Sequence, residues 1–462
     1  MIKPLPFAAA LLLGACAVLE PRYERPALPT PDEWPQGTAY DAAINVEGAA
    51  ELPPWDQFYA DPKLNAVIAL ALEQNRDLRV AALNIERARN QFRIQRANAL
   101  PSVNAVASGD VQGRDTASGE IIDRQYSAGY GLAAFEIDFF GRVRGLNRAA
   151  LQQYLATRDA RDSAQISLIS QVASAYLIYA GDLELLRLAE ATLDSQQKSL
   201  DLTISRLDVG VASEIDVQRA RTIVENARAD VARFTTLTAQ DENLLTLLVG
   251  APVPEELQPT DIDAVTFGAA ELLPGVPSDV LLTRPDIRQS EHLLRSANAN
   301  IGAARAAFFP RVTIAGFSGE ADPRFENLFN GANGAWSFTP QVSIPLFNGG
   351  ARIAGLGVAG ADRDIAVAQY ERAVQVAFRE VADALAERGA IEDQLAARKA
   401  LADAAQSVYD ISDARYREGV DSFLSLLDAQ RSLYGAQQNL VAARVARAVN
   451  FVTLYKTLGG GV

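Results

Sequence analysis

An internal repeat constrains this chain more than any other feature. Asp77-Leu78-Arg79 returns as Asp286-Ile287-Arg288, and the offset, 286 less 77, is 209 residues. Pro101 matches Pro310, Arg206 matches Arg415, Gly210-Val211 matches Gly419-Val420, and Gly250 matches Gly459 at that same offset. Matches at one constant spacing identify a duplication of roughly 175 residues, and so two copies of one fold. Each copy carries a long helix-forming run. The first, Gly145 to Leu248, contains no proline, and Leu186, Leu193, Leu200 and Leu207 recur in it every seven residues. That spacing holds one helix face against a partner helix. The phase is kept in the second copy at Leu395, Ala402, Tyr409 and Tyr416. The run turns at Arg206 to Ser213 and returns, which predicts a helical hairpin. Gly145 to Leu207 is about 63 residues, a rod of about 95 Å. Residues 77–99 and Ser213 to Leu248 together supply about 59 residues, or about 90 Å end to end. One continuous helix flanked by two stacked half-length helices is the expected arrangement.

Strand signals lie between the helices, at about residues 102–111, 126–138, 311–319 and 336–346. The last is the clearest. Trp336, Phe338, Pro340, Val342, Ile344 and Leu346 alternate with Ser337, Thr339, Gln341 and Ser343. Period two over about ten residues with aromatics near one end is the pattern of a transmembrane β-barrel strand. A half-buried strand of a soluble sheet shows the same alternation. Pro340 and Pro345 predict a distorted strand, or one leaving a barrel at its rim. Four strands cannot close a barrel, and lipid does not tolerate an open edge. A membrane reading therefore requires oligomerisation, with two or three copies giving eight or twelve strands.

The N-terminus supports the membrane reading. Lys3 precedes an apolar core from Phe7 to Leu13, then Leu13-Gly14-Ala15-Cys16. Residues 1–15 read as a signal peptide rather than a membrane span, the apolar core being too short to cross. Cys16 is the only cysteine, so no intramolecular disulfide can form. Residues 16–60, with Pro21, Pro26, Pro29, Pro31 and Pro53-Pro54, predict an extended strap along the outside of the body. Residues 61–250 form the first repeat, with its hairpin tip near 210. Residues 251–285 are an acidic, proline-rich linker, and residues 286–462 form the second repeat, with its tip near 419. The formal net charge of −14 argues against a nucleic-acid partner. It suits a water-filled, cation-attracting surface, as it suits simple solubility. One histidine, His292, and no phosphate loop or metal-ligand cluster leave no catalytic or metal site to expect.

Phe135-Glu136-Ile137-Asp138-Phe139-Phe140-Gly141-Arg142-Val143-Arg144, the turn from Arg206 to Ser213, and Asp413-Ala414-Arg415-Tyr416-Arg417-Glu418-Gly419-Val420 resemble the TolC family over residues 16 to 461. Leu426 to Leu433 adds to the likeness. Leu-Gly-Ala-Cys resembles the lipobox of bacterial lipoproteins, so the nearest resemblance is to the outer-membrane lipoproteins of RND-type tripartite multidrug efflux pumps. The resemblance implies an α+β membrane protein built as a homotrimer. Its duplicated helix-strand-strand-helix units would close a 12-strand transmembrane β-barrel, continued by a long periplasmic α-helical barrel. It implies a covalent lipid on Cys16 and no other cofactor. It implies partners in a periplasmic adaptor, an inner-membrane RND transporter and outer-membrane lipid, and no enzymatic activity.

The implied function is an exit duct for small molecules such as drugs, gated at its periplasmic tip. In the efflux members a leucine and an aspartate one turn apart ring the aperture, and they match Leu424 and Asp428, with Tyr416 and Arg415 holding the closed packing. The tips Gly210, Val211, Ser213, Gly419, Val420 and Ser422 would meet the adaptor. Good turn chemistry alone accounts for Gly210, Ser213, Gly419 and Ser422, since glycine suits positive φ and serine caps a returning helix. The other readings are the same channel serving type I protein secretion or metal export, and a periplasmic coiled-coil scaffold without a pore.

Overall fold

The computed structural model describes residues 19–40, 52–117, 119–267, 281–331 and 333–460. The signal peptide of residues 1–15, Cys16, and parts of the strap and linker lie outside the described residues. The elements, in chain order, are α1 Trp55–Phe58, α2 Pro62–Gln74, α3 Arg76–Ala97, β1 Val103–Thr116, β2 Gly119–Ile137, α4 Arg142–Asp208 and α5 Glu214–Val249. The second half follows with α6 Pro285–Ala306, β3 Arg311–Asp322, β4 Gly334–Ser343, α7 Ala351–Arg417 and α8 Phe423–Thr457. Helices α4 and α7 have 67 residues each, about 100 Å at 1.5 Å per residue.

The chain divides into two compact units. The first comprises Met1–Ala27, Asn84–Arg158 and Gln289–Glu371 and contains the four strands. They form one antiparallel sheet in the order β1-β2-β3-β4. β3 is the repeat of β1 and β4 the repeat of β2, so the two hairpins lie side by side. β1 and β4 are the open edges. Pro340 stands opposite Ile314 within β4 without breaking it. It is tolerated because β4 is an edge strand, where a missing N–H costs no ladder bond. The strand ends at Ser343, before Pro345, so it is shorter than the alternation predicted, while β1 and β2 are longer. Val103, Tyr130, Trp336 and Phe338 are all more than half exposed, so the sheet brings little core of its own. In this unit the strap is pinned to α6: Tyr23 and Arg25 both donate to the buried Glu291 carboxylate, and Asn298 donates to the Pro21 carbonyl. The helical His292 places Nδ1 2.6 Å from Gln152 Oε1.

The second unit comprises Leu28–Leu83, Asp159–Arg288 and Arg372–Val462 and holds the main core. The apolar stretch of α4 around Ile169, Val172, Ala173, Tyr176 and Leu177 is 2% exposed or less. It would pass as a membrane span by composition, but here it packs against α2, α7, α8 and the linker. Phe58 stacks on Tyr455 at 3.9 Å, and Phe267 of the linker stacks on Phe451 at 5.3 Å. Trp34 of the strap stacks on Phe378 at 5.0 Å.

The half-length helices meet end to end through one side chain in each copy. Asn75 donates to the Leu248 carbonyl at the end of α5 and accepts from Leu78 N in the first turn of α3. At the equivalent position of the second copy, Arg284 donates to the Thr457 carbonyl at the end of α8 and forks onto Asp286 in the first turn of α6. Each thus satisfies a helix-end carbonyl that would otherwise lack a partner. Gly250, in the left-handed region at φ 81°, leaves room for the Gln74 carbonyl, which a side chain there would strike.

Candidate functional site at the hairpin tips

Both tips close the same way. α4 ends at Asp208, and Gly210 takes φ 79°. Its N–H donates to the Leu207 carbonyl at 2.8 Å, and Val211 N–H to that of Arg206 at 2.9 Å. The second tip repeats this at Gly419, φ 72°, with Gly419 N to Tyr416 O at 3.0 Å and Val420 N to Arg415 O at 2.9 Å. A left-handed residue closing this pair of bonds is the Schellman stop, and glycine takes it at least cost. The returning helices are capped by serine. Ser213 Oγ accepts from Asp216 N, and Asp216 returns its carboxylate to Ser213 N. Ser422 Oγ accepts from Ser425 N, without an acidic partner. Val211 and Val420 stand 69% and 63% exposed at the turns, a costly place for apolar side chains.

Behind the tips the two hairpins share a core of Leu200, Val217, Val224, Tyr416, Phe423, Leu426 and Leu427. The heptad positions Leu193, Leu207 and Tyr409 pack at its margin. Tyr416 is its centre: it is buried, and its ring lies 5.4 Å from that of Phe423. The Arg206 guanidinium lies 4.5 Å over the Tyr416 ring and donates weakly to the Tyr416 carbonyl at 3.4 Å. The hairpins are therefore joined by a cation on a ring and by apolar packing.

Arg415 does not take part in this join, contrary to the expectation that it holds the packing with Tyr416. It turns back on its own tip and forks onto Asp421, with Nε and Nη2 at 2.6 and 3.0 Å. Those hydrogen bonds hold the Asp421 carboxyl below the usual carboxylate range. The first copy has Ala212 where the second has Asp421, so Arg206 has no such partner in its own turn and reaches across instead. Arg206 was legible as the repeat partner of Arg415; the missing aspartate was the signal for its different role.

Leu424 and Asp428 lie one turn apart on the exposed side of α8. Leu424 is 48% exposed, and Asp428 has no salt-bridge partner among the described residues. Both line a groove of about 750 Å³ between α5 and α8, whose other wall carries Arg219, Asn226 and Asp230. Tyr434 closes it by donating to Asp230 at 3.1 Å. The equivalents of Leu424 and Asp428 in the first copy are Ile215 and Arg219, and Arg219 is drawn to Asp216 at 3.9 Å. The structure brings Leu424, Asp428 and Tyr416 to one end of the hairpins with the tip glycines and serines. Cys16 lies outside the described residues. Among the described residues no three His, Cys, Asp or Glu converge to hold a metal ion.

Sequence reasoning also missed a carboxyl pair further up the first hairpin. Asp182 of α4 faces Asp241 of α5. Burial first, then the hydrogen bond and charge of Asp182, push Asp241 up to about 7.

The outer membrane efflux protein family model matches the chain twice, at residues 67–251 and 276–460, the two matches set apart by the repeat offset. The chain is 46% identical over 457 residues to the probable efflux pump outer membrane protein TtgC of Pseudomonas putida, covering 98% of this chain and 94% of that one. It is 41% identical over 457 residues to the outer membrane protein OprJ of Pseudomonas aeruginosa, with the same coverage. Among solved structures it is similar to the open state of the Neisseria gonorrhoeae MtrE outer membrane channel, with a TM-score of 0.87, 37% identity, and 96% and 98% of the two chains covered. The repeat, the strand pairs and the coupled hairpins thus meet one family from three directions, and the chain belongs to the outer membrane efflux protein family.

Proposed function

We propose that three copies of this chain close a twelve-strand barrel in the outer membrane and a helical tunnel beneath it, gated by Leu424 and Asp428. The chain is an outer-membrane efflux exit duct by family. What carries the finer reading is the sheet: two open edges, a largely exposed surface and little core of its own, in a chain whose helices reach about 100 Å. Lipid forbids open edges, so the sheet must close with further copies. Internal repetition makes that closure natural. β4 of one copy beside β1 of the next repeats the β2–β3 junction, a head-to-tail contact that generates a ring. Three copies are preferred over two on the family resemblance.

Three Leu424 side chains would narrow the tunnel to an apolar constriction, and three Asp428 carboxylates would crowd like charge beside it, favouring a bound cation. Opening separates the tips, and the Arg206–Tyr416 contact is the tie that resists it. The exposed Val211 and Val420 would be covered by the helical hairpins of a periplasmic adaptor, which links the duct to an inner-membrane RND transporter. Lipidation at Cys16 would anchor each copy. Toluene and antibiotics stand in the names of relatives, and small apolar and amphipathic compounds are the proposed cargo here. Dye and drug accumulation in a deletion strain, with and without the restored gene, tests the reading. Several unrelated compounds should accumulate without the gene and clear with it. No change across a broad panel would contradict small-molecule efflux.

A further inference from the structure

A cavity of about 270 Å³ lies where the sheet gives way to helices in the first unit. The end of β2, the start of β3 and the end of β4 meet there, since Ile137 pairs with Val312 and Arg311 with Ser343. Arg142, Arg311 and Arg352 line it, against Glu136 and Asp138. Glu136 is shared: Arg142 forks onto it at 2.6 and 2.9 Å, and Arg311 joins at 2.5 Å. Asp138 is taken by Arg144, through both its backbone N–H and its guanidinium. Arg352, half-buried, has no carboxylate partner among the described residues. Three guanidiniums against two carboxylates leave the lining with one positive charge in excess, and Asp138 is already engaged by Arg144 from outside it.

The placement of these cations is itself unfavourable. Arg142 and Arg144 occupy the first turn of α4, and Arg352 the first turn of α7, and neither turn holds an acidic residue. A helix N-terminus carries partial positive charge, so arginines there add like charge to like. Asp138 and Glu136 already answer the start of α4, so an anion in the cavity would relieve chiefly α7, where Arg352 stands. The remaining wall is apolar: Phe140 stacks on Phe309 at 4.8 Å, and Phe139 and Pro345 complete it. Just beyond β4, Leu346 and Phe347 are 93% and 91% exposed, a ledge fit for hydrocarbon. The strap enters at the same level, because the Leu19 carbonyl accepts from Arg305 at the end of α6.

We propose that this cavity binds the phosphate headgroup of a membrane glycerophospholipid, with Arg352 as its principal counter-charge and the phenylalanine and Leu346–Phe347 surface taking the upper acyl chain. The cavity has room for a headgroup and not for a lipid. Basic pockets beside membrane-spanning segments hold anionic headgroups on these terms. The inference rests on reading β1–β4 as the membrane part.

The test uses the full chain, purified in detergent and stripped of lipid. Native mass spectrometry counts bound dioleoyl phosphatidylglycerol, dioleoylglycerol with the same chains and no phosphate, and inorganic phosphate. Phosphatidylglycerol should bind at one site per chain and dioleoylglycerol should not. Arg352→Glu should weaken binding about tenfold or more, and Arg352→Lys far less. Arg352→Gln, which brings no repulsion, provides the same comparison should the glutamate variant fail to assemble. Equal binding of dioleoylglycerol, or wild-type binding by the glutamate and glutamine variants, would overturn the proposal. Displacement of the lipid by millimolar inorganic phosphate would mark a free-anion site and overturn the lipid assignment. Retention is read in detergent with no conducting pore, so its failure is distinct from failure of the channel reading.

Discussion

Tyr416 is the residue on which the tip turns. Its ring is shared between Phe423, the apolar core behind the tips, and the Arg206 guanidinium of the other hairpin. Truncating a buried aromatic side chain costs about 3–5 kcal/mol, while a cation over a ring contributes about 0.5–2 kcal/mol. Tyr416→Ala should therefore loosen the tip more than Arg206→Ala, and both more than Arg415→Ala, whose partner Asp421 lies in its own turn. Hydrogen exchange of the amides in residues 193–224 reads this order; equal protection in the Tyr416 and Arg415 variants would contradict it. Asp241 carries the pH prediction. Its folded value, about 7, lies above the ordinary aspartate value of about 3.9. A raised folded value means the native state binds the extra proton, so this stabilisation is complete below about pH 4 and lost as pH rises through about 7. Asp241→Asn keeps a neutral side chain at every pH, as Asn450 does at the equivalent position of the second copy. The variant should gain thermal stability over wild type at pH 8 and little at pH 4. A gain independent of pH would refute the assignment.

At the scale of elements, the helices, their turns and the strand pairs were legible because the duplication preserved them. Glycine at each tip, serine at each returning cap and the heptad leucines keep type and position in both copies or change within one class. The joints between half-length helices were not legible. Asn75 and Arg284 occupy equivalent positions and satisfy equivalent carbonyls, Leu248 and Thr457, yet share no chemistry that identity matching could detect. Arg415 misled for the opposite reason: it matches Arg206 in type, but Asp421 captures it. Leaving a buried carbonyl unpaired costs about 1–3 kcal/mol. Asn75→Ala and Arg284→Ala should each lower the unfolding free energy by that order, read as a lower urea midpoint with little change in slope. Arg284→Ala should cost more, since it also releases Glu380. Gly419→Ala places a side chain at φ 72° and should cost about 1–2 kcal/mol, read by the same unfolding curve.

At the scale of the whole molecule, the decisive feature is what a single chain leaves unfinished. A four-stranded sheet with two open edges, exposed aromatics at Trp336 and Phe338, and apolar residues left bare at the tips all ask for neighbours. Alternation in Trp336 to Leu346 announced a strand, which the structure has over Gly334–Ser343, but period two is the same in a soluble sheet and in a barrel of any number of copies, so closure was not legible in it. The proposed gate shares that limit. Leu424 and Asp428 lie on an exposed helix face, and only a ring of copies turns such a face into an aperture. The most direct measurement is therefore single-channel conductance of the purified full chain in planar bilayers, wild type beside Leu424→Ala combined with Asp428→Ala. A low, mostly closed conductance in wild type that rises several-fold in the double variant is expected of a duct gated at this ring. An unchanged trace would contradict the gate, and no conductance from either protein would contradict the channel.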